Sequence, residues 1–354
     1  MLHSAGNKIR ALVVDDSALM RQLITKALTE DGEIDVVGTA ADPIEAREKI
    51  KKLNPDVLTL DIEMPNMDGL SFLEKIMRLR PMPVVMVSTL TAAGADATIR
   101  ALELGAIDFH LKPTRADRFL AEAAEIREKV KAAAKAQFPV TRDPRSGKNA
   151  IDPIQPSAGY RPDARLIAIG SSTGGVEALH VLLSRFPQNC PPTVITQHMP
   201  EHFTQAFASR LDQKIRPHVT EAFDNAIFEP GSVVIAPGGS RHLRIVRSGR
   251  RWQCRLNEEP PISGHRPSVD CLFESVAECA GHQAIGVILT GMGADGAKGL
   301  RMIHDRGGRT LGQSKESCVV YGMPRVAREM GAVDEELPID RIPDAIFRIC
   351  QHEA

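Results

Sequence analysis

Short apolar runs alternate with helix-compatible stretches along most of this 354-residue chain, and that alternation restricts it to a parallel α/β architecture. Residues 10–14, 35–38, 56–60, 83–87 and 106–111 have the length and the valine and leucine content of buried strands. An alanine-rich, charged stretch at 116–136 then reads as an exposed helix. From about Gln137 to Asp163 the composition changes, and Pro139, Pro144, Pro153, Pro156 and Pro162 break any regular element. Strand-like runs resume at 166–169, 193–197, 232–236 and 284–290, with helices beginning near Val176, Phe203, Asp270 and Gly296. Residues 243–256, turning at Gly249, read instead as a β-hairpin. No internal repeat is visible. The expected organisation is two doubly wound parallel-sheet domains, flavodoxin-like at 8–131 and Rossmann-like at 164–354, joined by a linker at 132–163.

Charge and apolar content exclude several classes of function. With 44 Lys and Arg against 45 Asp and Glu, the formal net charge is -1, so no basic field favours nucleic acid or anionic lipid. No apolar run reaches the roughly 18–20 residues a membrane helix needs, and the N-terminus lacks the apolar core of a secretory signal. A cytoplasmic protein is expected. Cys190, Cys254, Cys271, Cys279, Cys318 and Cys350 lie in the second half without a Cys-x-x-Cys spacing, and read as reduced, packing thiols rather than zinc ligands.

Two strands of the first half end in acidic residues. Asp15 and Asp16 follow the first run and Asp61 follows the third, so parallel neighbours bring three carboxylates to one sheet end. Such a cluster needs a cation, and a hard divalent ion such as Mg²⁺ suits its oxygen donors. A carboxylate held beside that ion can attack a phosphodonor, which makes Asp61 the candidate nucleophile, with Ser88 and Lys112 placed to read the product. The motifs Val-Val-Asp-Asp-Ser, Leu-Asp-Ile-Glu-Met-Pro-Asn-Met-Asp-Gly, Met-Val-Ser-Thr-Leu and Asp-Phe-His-Leu-Lys-Pro resemble the receiver domain of bacterial response regulators from Arg10 to about Arg127. The resemblance implies Asp61 as phosphoacceptor, Asp15, Asp16, Asp61 and the Glu63 carbonyl as Mg²⁺ ligands, and Ser88, Phe109 and Lys112 as the residues that couple phosphorylation to a surface change. The Lys112–Pro113 bond is a candidate cis peptide.

The second half carries a different chemistry. Gly-Ser-Ser-Thr-Gly-Gly at 170–175 turns a buried strand into a helix, where a serine meets the positive helix end and exposed N–H groups can hold an oxyanion. A serine needs a base, and His198 ends the next strand. That base needs an orienting acid, and Asp295 follows a third. The turn lacks both the Gly-x-Gly-x-x-Gly and the Gly-Lys-Ser/Thr fingerprints, which argues against nucleotide binding. The order Ser, His, Asp differs from that of the α/β-hydrolases.

Ile-Ala-Ile-Gly-Ser-Ser-Thr-Gly-Gly, Ile-Thr-Gln-His-Met-Pro, Ile-Ala-Pro-Gly-Gly, Gly-His-Arg-Pro-Ser-Val-Asp and Leu-Thr-Gly-Met-Gly-Ala-Asp-Gly-Ala together resemble the chemotaxis protein-glutamate methylesterase family from Arg165 to Cys350. The resemblance implies Ser172 as nucleophile, His198 as base and Asp295 as orienter, with Thr173 and the Met292 backbone N–H near the oxyanion and His265 and Arg266 near the substrate groove. Ser171 stands where the family motif has alanine, so two serines compete for the role, and register against Thr-Gly-Gly favours Ser172.

The resemblance further implies an enzyme without a catalytic-domain metal that demethylates glutamate methyl esters and deamidates glutamines on methyl-accepting chemoreceptors. Its phosphodonor would be a histidine kinase, and its receiver would cover the triad until phosphorylated. The rival readings are a response regulator whose output domain binds a partner without catalysis and, more weakly, a nucleotide-binding output domain.

Overall fold

The computed structural model describes residues 8–64, 68–89, 91–112, 116–136, 154–155 and 160–351. The chain divides into two compact units, residues 1–138 and 139–354. Most of the expected linker and the Lys112–Pro113 bond lie outside the described residues.

The first unit alternates β1 (Ile9–Val14), α1 (Ala18–Thr29), β2 (Ile34–Ala40), α2 (Pro43–Leu53), β3 (Val57–Asp61), α3 (Gly69–Leu79), β4 (Val84–Ser88), α4 (Ala92–Glu103), β5 (Asp108–Leu111) and α5 (Ala116–Ala134). Its strands form one parallel sheet in the order β2-β1-β3-β4-β5. Every residue of β3 and β4 is buried, which is why these segments are mostly apolar rather than alternating. Side chains start the helices: Ser17, Asp42, Asp68 and Thr91 accept from backbone N–H groups of α1 to α4. The chain reverses direction across the sheet between β1 and β3, and the crevice at such a switch point is where α/β sheets place ligands. Asp15 and Asp61 stand at that crevice.

The second unit contains β6 (Leu166–Ser171), α6 (Gly175–Leu183), β7 (Thr193–Gln197), α7 (Phe203–Asp212), β8 (His218–Glu221), β9 (Ile227–Phe228), β10 (Ser232–Ile235), β11 (His242–Ser248), β12 (Arg251–Asn257), α8 (Val269–Ala280), β13 (Ala284–Ile288), α9 (Ala297–Asp305), β14 (Arg309–Gln313), α10 (Met323–Glu329), β15 (Glu335–Leu337) and α11 (Ile342–Ile349). A parallel sheet runs β15-β14-β13-β6-β7-β10-β8, and β11-β12-β9 form a small antiparallel sheet that includes the expected hairpin. Leu243, Ile245, Trp252 and Cys254 of the hairpin share a core with Leu272, Phe273 and Val276 of α8. Each fully buried side chain of this size stabilises the fold by about 1.5–3 kcal/mol.

Strands β8, β9, β14 and β15 were not expected from the sequence. The edge strands β8 and β15 and the two-residue β9 are too short to show a pattern. Strand β14 is interior but polar, its Thr310 and Gln313 being buried through hydrogen bonds to Asp334 and Thr290 rather than through apolar packing. All six cysteines are free, with Cys279 half-buried and the others buried. Among the described residues no helix is long and apolar enough to cross a membrane.

Candidate active site and phosphoacceptor site

In the first unit, Asp15, Asp16 and Asp61 present carboxylate oxygens within 4.8 Å of one another, with Asp16 exposed and the other two buried. Lys112 places its ammonium 2.9 Å from Asp15 Oδ2 and 2.7 Å from Asp61 Oδ2. The Glu63 N–H donates to Asp61 Oδ1 at 3.2 Å. Gly69 makes this packing possible, because a Cβ there would lie 2.0 Å from the Asp61 carbonyl oxygen. Strand β4 ends in Ser88, whose Oγ accepts from Thr98 Oγ1 at 2.8 Å and whose carbonyl accepts from the Lys112 N–H at 2.6 Å. Phe109 is buried under Lys129, which lies 5.5 Å from its ring centroid. The donor set fits a hard divalent cation that keeps some of its water: oxygen ligands only, excess negative charge, and one exposed carboxylate at the mouth.

Burial pushes the Asp61 carboxyl up to about 6, and the neighbouring Asp15 adds to the rise while Lys112 opposes it. A folded-state value above the unfolded value of about 3.9 means that folding favours the protonated form. Ionised Asp61 is therefore a burden on stability above pH 6, and the burden fades as the pH falls towards 4. Asp61→Asn should stabilise the first unit at pH 7 by up to about 3 kcal/mol. Hydrogen exchange of the β1–β5 amides in the full chain, with and without the substitution, measures this. The gain should shrink steadily between pH 6 and pH 4.

The second unit reverses direction between β6 and β13, and its polar residues gather at that crevice. Strand β6 ends in Ser171, fully buried, with Oγ donating to Gln197 Oε1 at 2.6 Å. Ser172 is half-buried beyond it, its N–H donating to the Thr290 carbonyl at 3.0 Å and its carbonyl accepting from the Gly175 N–H at 2.7 Å. Of the two serines, only Ser172 keeps an uncommitted, partly accessible hydroxyl among the described contacts. The turn is crowded: a Cβ at Gly175 would lie 2.1 Å from Gln197 Oε1, and one at Gly291 would lie 2.7 Å from Ser172 Cβ. The segment carrying Met292 is thereby held against Ser172. Thr173 is buried, and its carbonyl accepts from Thr290 Oγ1 at 3.0 Å.

The His198 N–H donates to the Ser171 carbonyl at 3.1 Å, so the ends of β6 and β7 bring serine and histidine together. His198 Nε2 lies 2.8 Å from Asp295 Oδ2, and the other ring nitrogen, Nδ1, is buried without a hydrogen-bond partner among the described residues. Its ring stacks on His265, with centroids 3.8 Å apart and planes 9° apart. Asp295 is buried and accepts from Ser268 Oγ at 2.8 Å, the Val269 N–H at 2.7 Å and the Asp270 N–H at 3.1 Å, at the start of α8. Burial alone would raise its carboxyl, but His198 and the Val269 and Asp270 N–H groups outweigh it and hold the group down at about 2. An ionised carboxylate can only accept, so Nε2 of His198 carries a proton, and in the neutral ring Nδ1 carries the lone pair. Arg266 is held by the carbonyls of Gly239 and Glu259, each at 3.2 Å.

Three polar residues of this site were not singled out from the sequence. Gln197 bridges Ser171 and the Ser172 carbonyl, Ser268 supports Asp295, and Gln313 Oε1 accepts from the Thr290 N–H at 2.8 Å. Ser268 precedes a helical run with an acidic first turn, which is an N-cap signature that could have drawn attention to it. Gln197 sits beside His198 in a quoted motif, whereas Gln313 has no comparable signal.

Known proteins carry the same two-part arrangement. The CheB methylesterase family model matches residues 167–346, and that of the response regulator receiver domain matches residues 11–124. A protein-glutamate methylesterase/protein-glutamine glutaminase 1 of Caulobacter vibrioides is 57% identical over 342 residues, covering 96% of this chain and 97% of that one. Its namesake in Rhizobium johnstonii is 56% identical over 340 residues, covering 96% of each chain. The crystal structure of the Thermotoga maritima CheB methylesterase catalytic domain is 39% identical, covers 52% of this chain and 98% of its own, and superposes with a TM-score of 0.51. With a family match over half its length and such relatives over nearly all of it, the chain belongs to the CheB methylesterase family and carries a response regulator receiver domain in front of the methylesterase domain.

Proposed function

We propose that this protein is a phosphorylation-activated hydrolase of the cytoplasm that demethylates glutamate methyl esters on methyl-accepting chemoreceptors and deamidates selected receptor glutamines, serving adaptation in chemotaxis. The observation that carries the reading is the His198–Asp295 pair, which leaves Nδ1 as the free base at the serine-bearing strand end. Ser172 Oγ gives its proton to His198 Nδ1 and bonds to the ester carbonyl carbon. The oxyanion is received by the Met292 backbone N–H with Thr173 nearby. Collapse breaks the bond to the methoxy oxygen, which takes the proton from Nδ1 and leaves as methanol. Water then gives a proton to Nδ1 and attacks the glutamyl-serine ester, and the proton returns to Ser172 as glutamate departs. A glutamine follows the same route with ammonia leaving. His265 and Arg266 border the substrate groove.

In the receiver, Asp15, Asp16, Asp61 and the Glu63 carbonyl would hold Mg²⁺, which would supply charge neutralisation for phosphoryl transfer. The Asp61 carboxylate attacks the phosphorus of a phosphohistidine of a chemotaxis histidine kinase in line; the new O–P bond forms as the P–N bond breaks, and the kinase imidazole leaves and takes up a proton. Ser88 and Lys112 then take the phosphoryl oxygens, and Phe109 transmits the change. The organisation we propose is a receiver at 8–131, a linker at 132–163 and the methylesterase domain at 164–354, with the unphosphorylated receiver acting as inhibitor.

Two experiments test this reading. A serine-directed phosphonylating inhibitor should label the peptide containing Ser172, and absence of labelling would favour a partner-binding output domain. The fragment 163–354 should release methanol without a phosphodonor. A fragment that is folded yet inactive would contradict simple inhibition by the receiver.

A further inference from the structure

Behind the acid of the candidate triad lies a chain of hydrogen bonds whose donor directions are all determined. Ser268 is fully buried and caps α8, its Oγ accepting from the Cys271 N–H at 3.3 Å and lying 2.8 Å from Asp295 Oδ1. The carboxylate has no proton to give, so the Ser268 hydroxyl donates to it. The Ser268 N–H points the other way, to His242 Nδ1 at 3.2 Å, and His242 Nε2 meets the Pro260 carbonyl at 3.1 Å. A carbonyl accepts only, so His242 carries its proton on Nε2 and offers Nδ1 to Ser268. A helix cap needs only an acceptor. Here the hydroxyl proton is committed to the carboxylate that orients His198.

We propose that Ser268 is a positioning residue for the hydrolytic reaction: through Asp295 it holds the carboxylate at the angle that keeps the proton of His198 on Nε2 and the lone pair on Nδ1. The inference rests on the hydrolase reading above. With Ser268 donating to Oδ1 and the Val269 N–H to Oδ2, the carboxylate plane is pinned from both sides, and Oδ2 stays aligned with His198 Nε2. Among the described contacts, Asp295, from the turn after β13, and the stacked His265, from the segment before α8, face His198. Asp295 also faces the Cys271 thiol and Asp270, both in the first turn of α8, and Asp270 Oδ1 accepts from the Gly299 N–H at 2.8 Å.

Ser268→Gly separates positioning from capping, because glycine caps a helix nearly as well as serine but has no hydroxyl to donate. In the full chain it should lower kcat for methanol release roughly tenfold with KM unchanged, and leave Tm within about 2 °C. The titration of the His198 ring, followed by NMR of ring-labelled histidine, should move to higher pH. A carboxylate that has lost a donor accepts more strongly from the imidazolium and so stabilises it. Ser268→Thr, which keeps the hydroxyl, should restore both kcat and the titration. A wild-type kcat with an unmoved titration in Ser268→Gly would overturn the proposal. So would losses in Ser268→Ala and Ser268→Gly that follow Tm while the titration stays in place. If the wild type releases no methanol, the methylesterase reading fails, and the His198 titration still decides the role of Ser268.

Discussion

Ser172→Ala should reduce methanol release by about 10⁵–10⁶ in kcat while leaving fold and stability unchanged, since removing the nucleophile of a serine triad costs nearly all of the triad's contribution. The expectation is specific to one of two adjacent serines. Ser172 is half-buried at the start of the turn into α6, whereas Ser171 ends β6 and commits its hydroxyl to Gln197 Oε1. Ser171→Ala should therefore act on stability instead, by about 1–3 kcal/mol for the acceptor left unpaired in a buried site. It should also retain most of the turnover. Parallel measurement of methanol release and thermal unfolding on the two variants separates the roles. Loss of turnover in Ser171→Ala with Ser172→Ala active would exchange the assignments.

Asp295→Asn should retain the fold and lose about 10²–10⁴ in kcat. Four donors converge on this carboxylate: His198 Nε2–H, Ser268 Oγ–H, and the N–H groups of Val269 and Asp270. An amide has one oxygen for them, and three of the donors come from the start of α8. Turning that oxygen towards α8 points the amide NH₂ at His198 Nε2, which must then become an acceptor and move its proton to Nδ1. The atom that should receive the Ser172 proton is then already protonated. Near wild-type turnover would remove Asp295 from the mechanism.

Much of this architecture was legible because strand ends carry the candidate site residues. Asp15, Asp61, Ser88, Ser172, His198 and Asp295 each close an apolar run or follow it by a few residues, and parallel pairing turns that placement into two clusters. The expected start of the helix near Asp270 and the hairpin at 243–256 likewise correspond to α8 and to β11 with β12. Strand β14 was not legible, since Thr310 and Gln313 are buried by hydrogen bonds, and polar residues there give no strand pattern. Nor could spacing say which ring nitrogen of His198 meets Asp295. That depends on where α8 delivers its first N–H groups and the Ser268 hydroxyl. The distinction between Ser171 and Ser172 was open in the sequence except by motif register, and burial of Ser171 against Gln197 gives it a physical basis.

The central claim joins the two sites, and methanol release from methylated chemoreceptor membranes tests it most directly. Wild type, Asp61→Asn and Ser172→Ala are compared with and without a small phosphodonor and Mg²⁺. The account predicts release by wild type that the donor stimulates, release by Asp61→Asn that the donor leaves unchanged, and none from Ser172→Ala. Equal donor stimulation of wild type and Asp61→Asn, or turnover by Ser172→Ala, would contradict it.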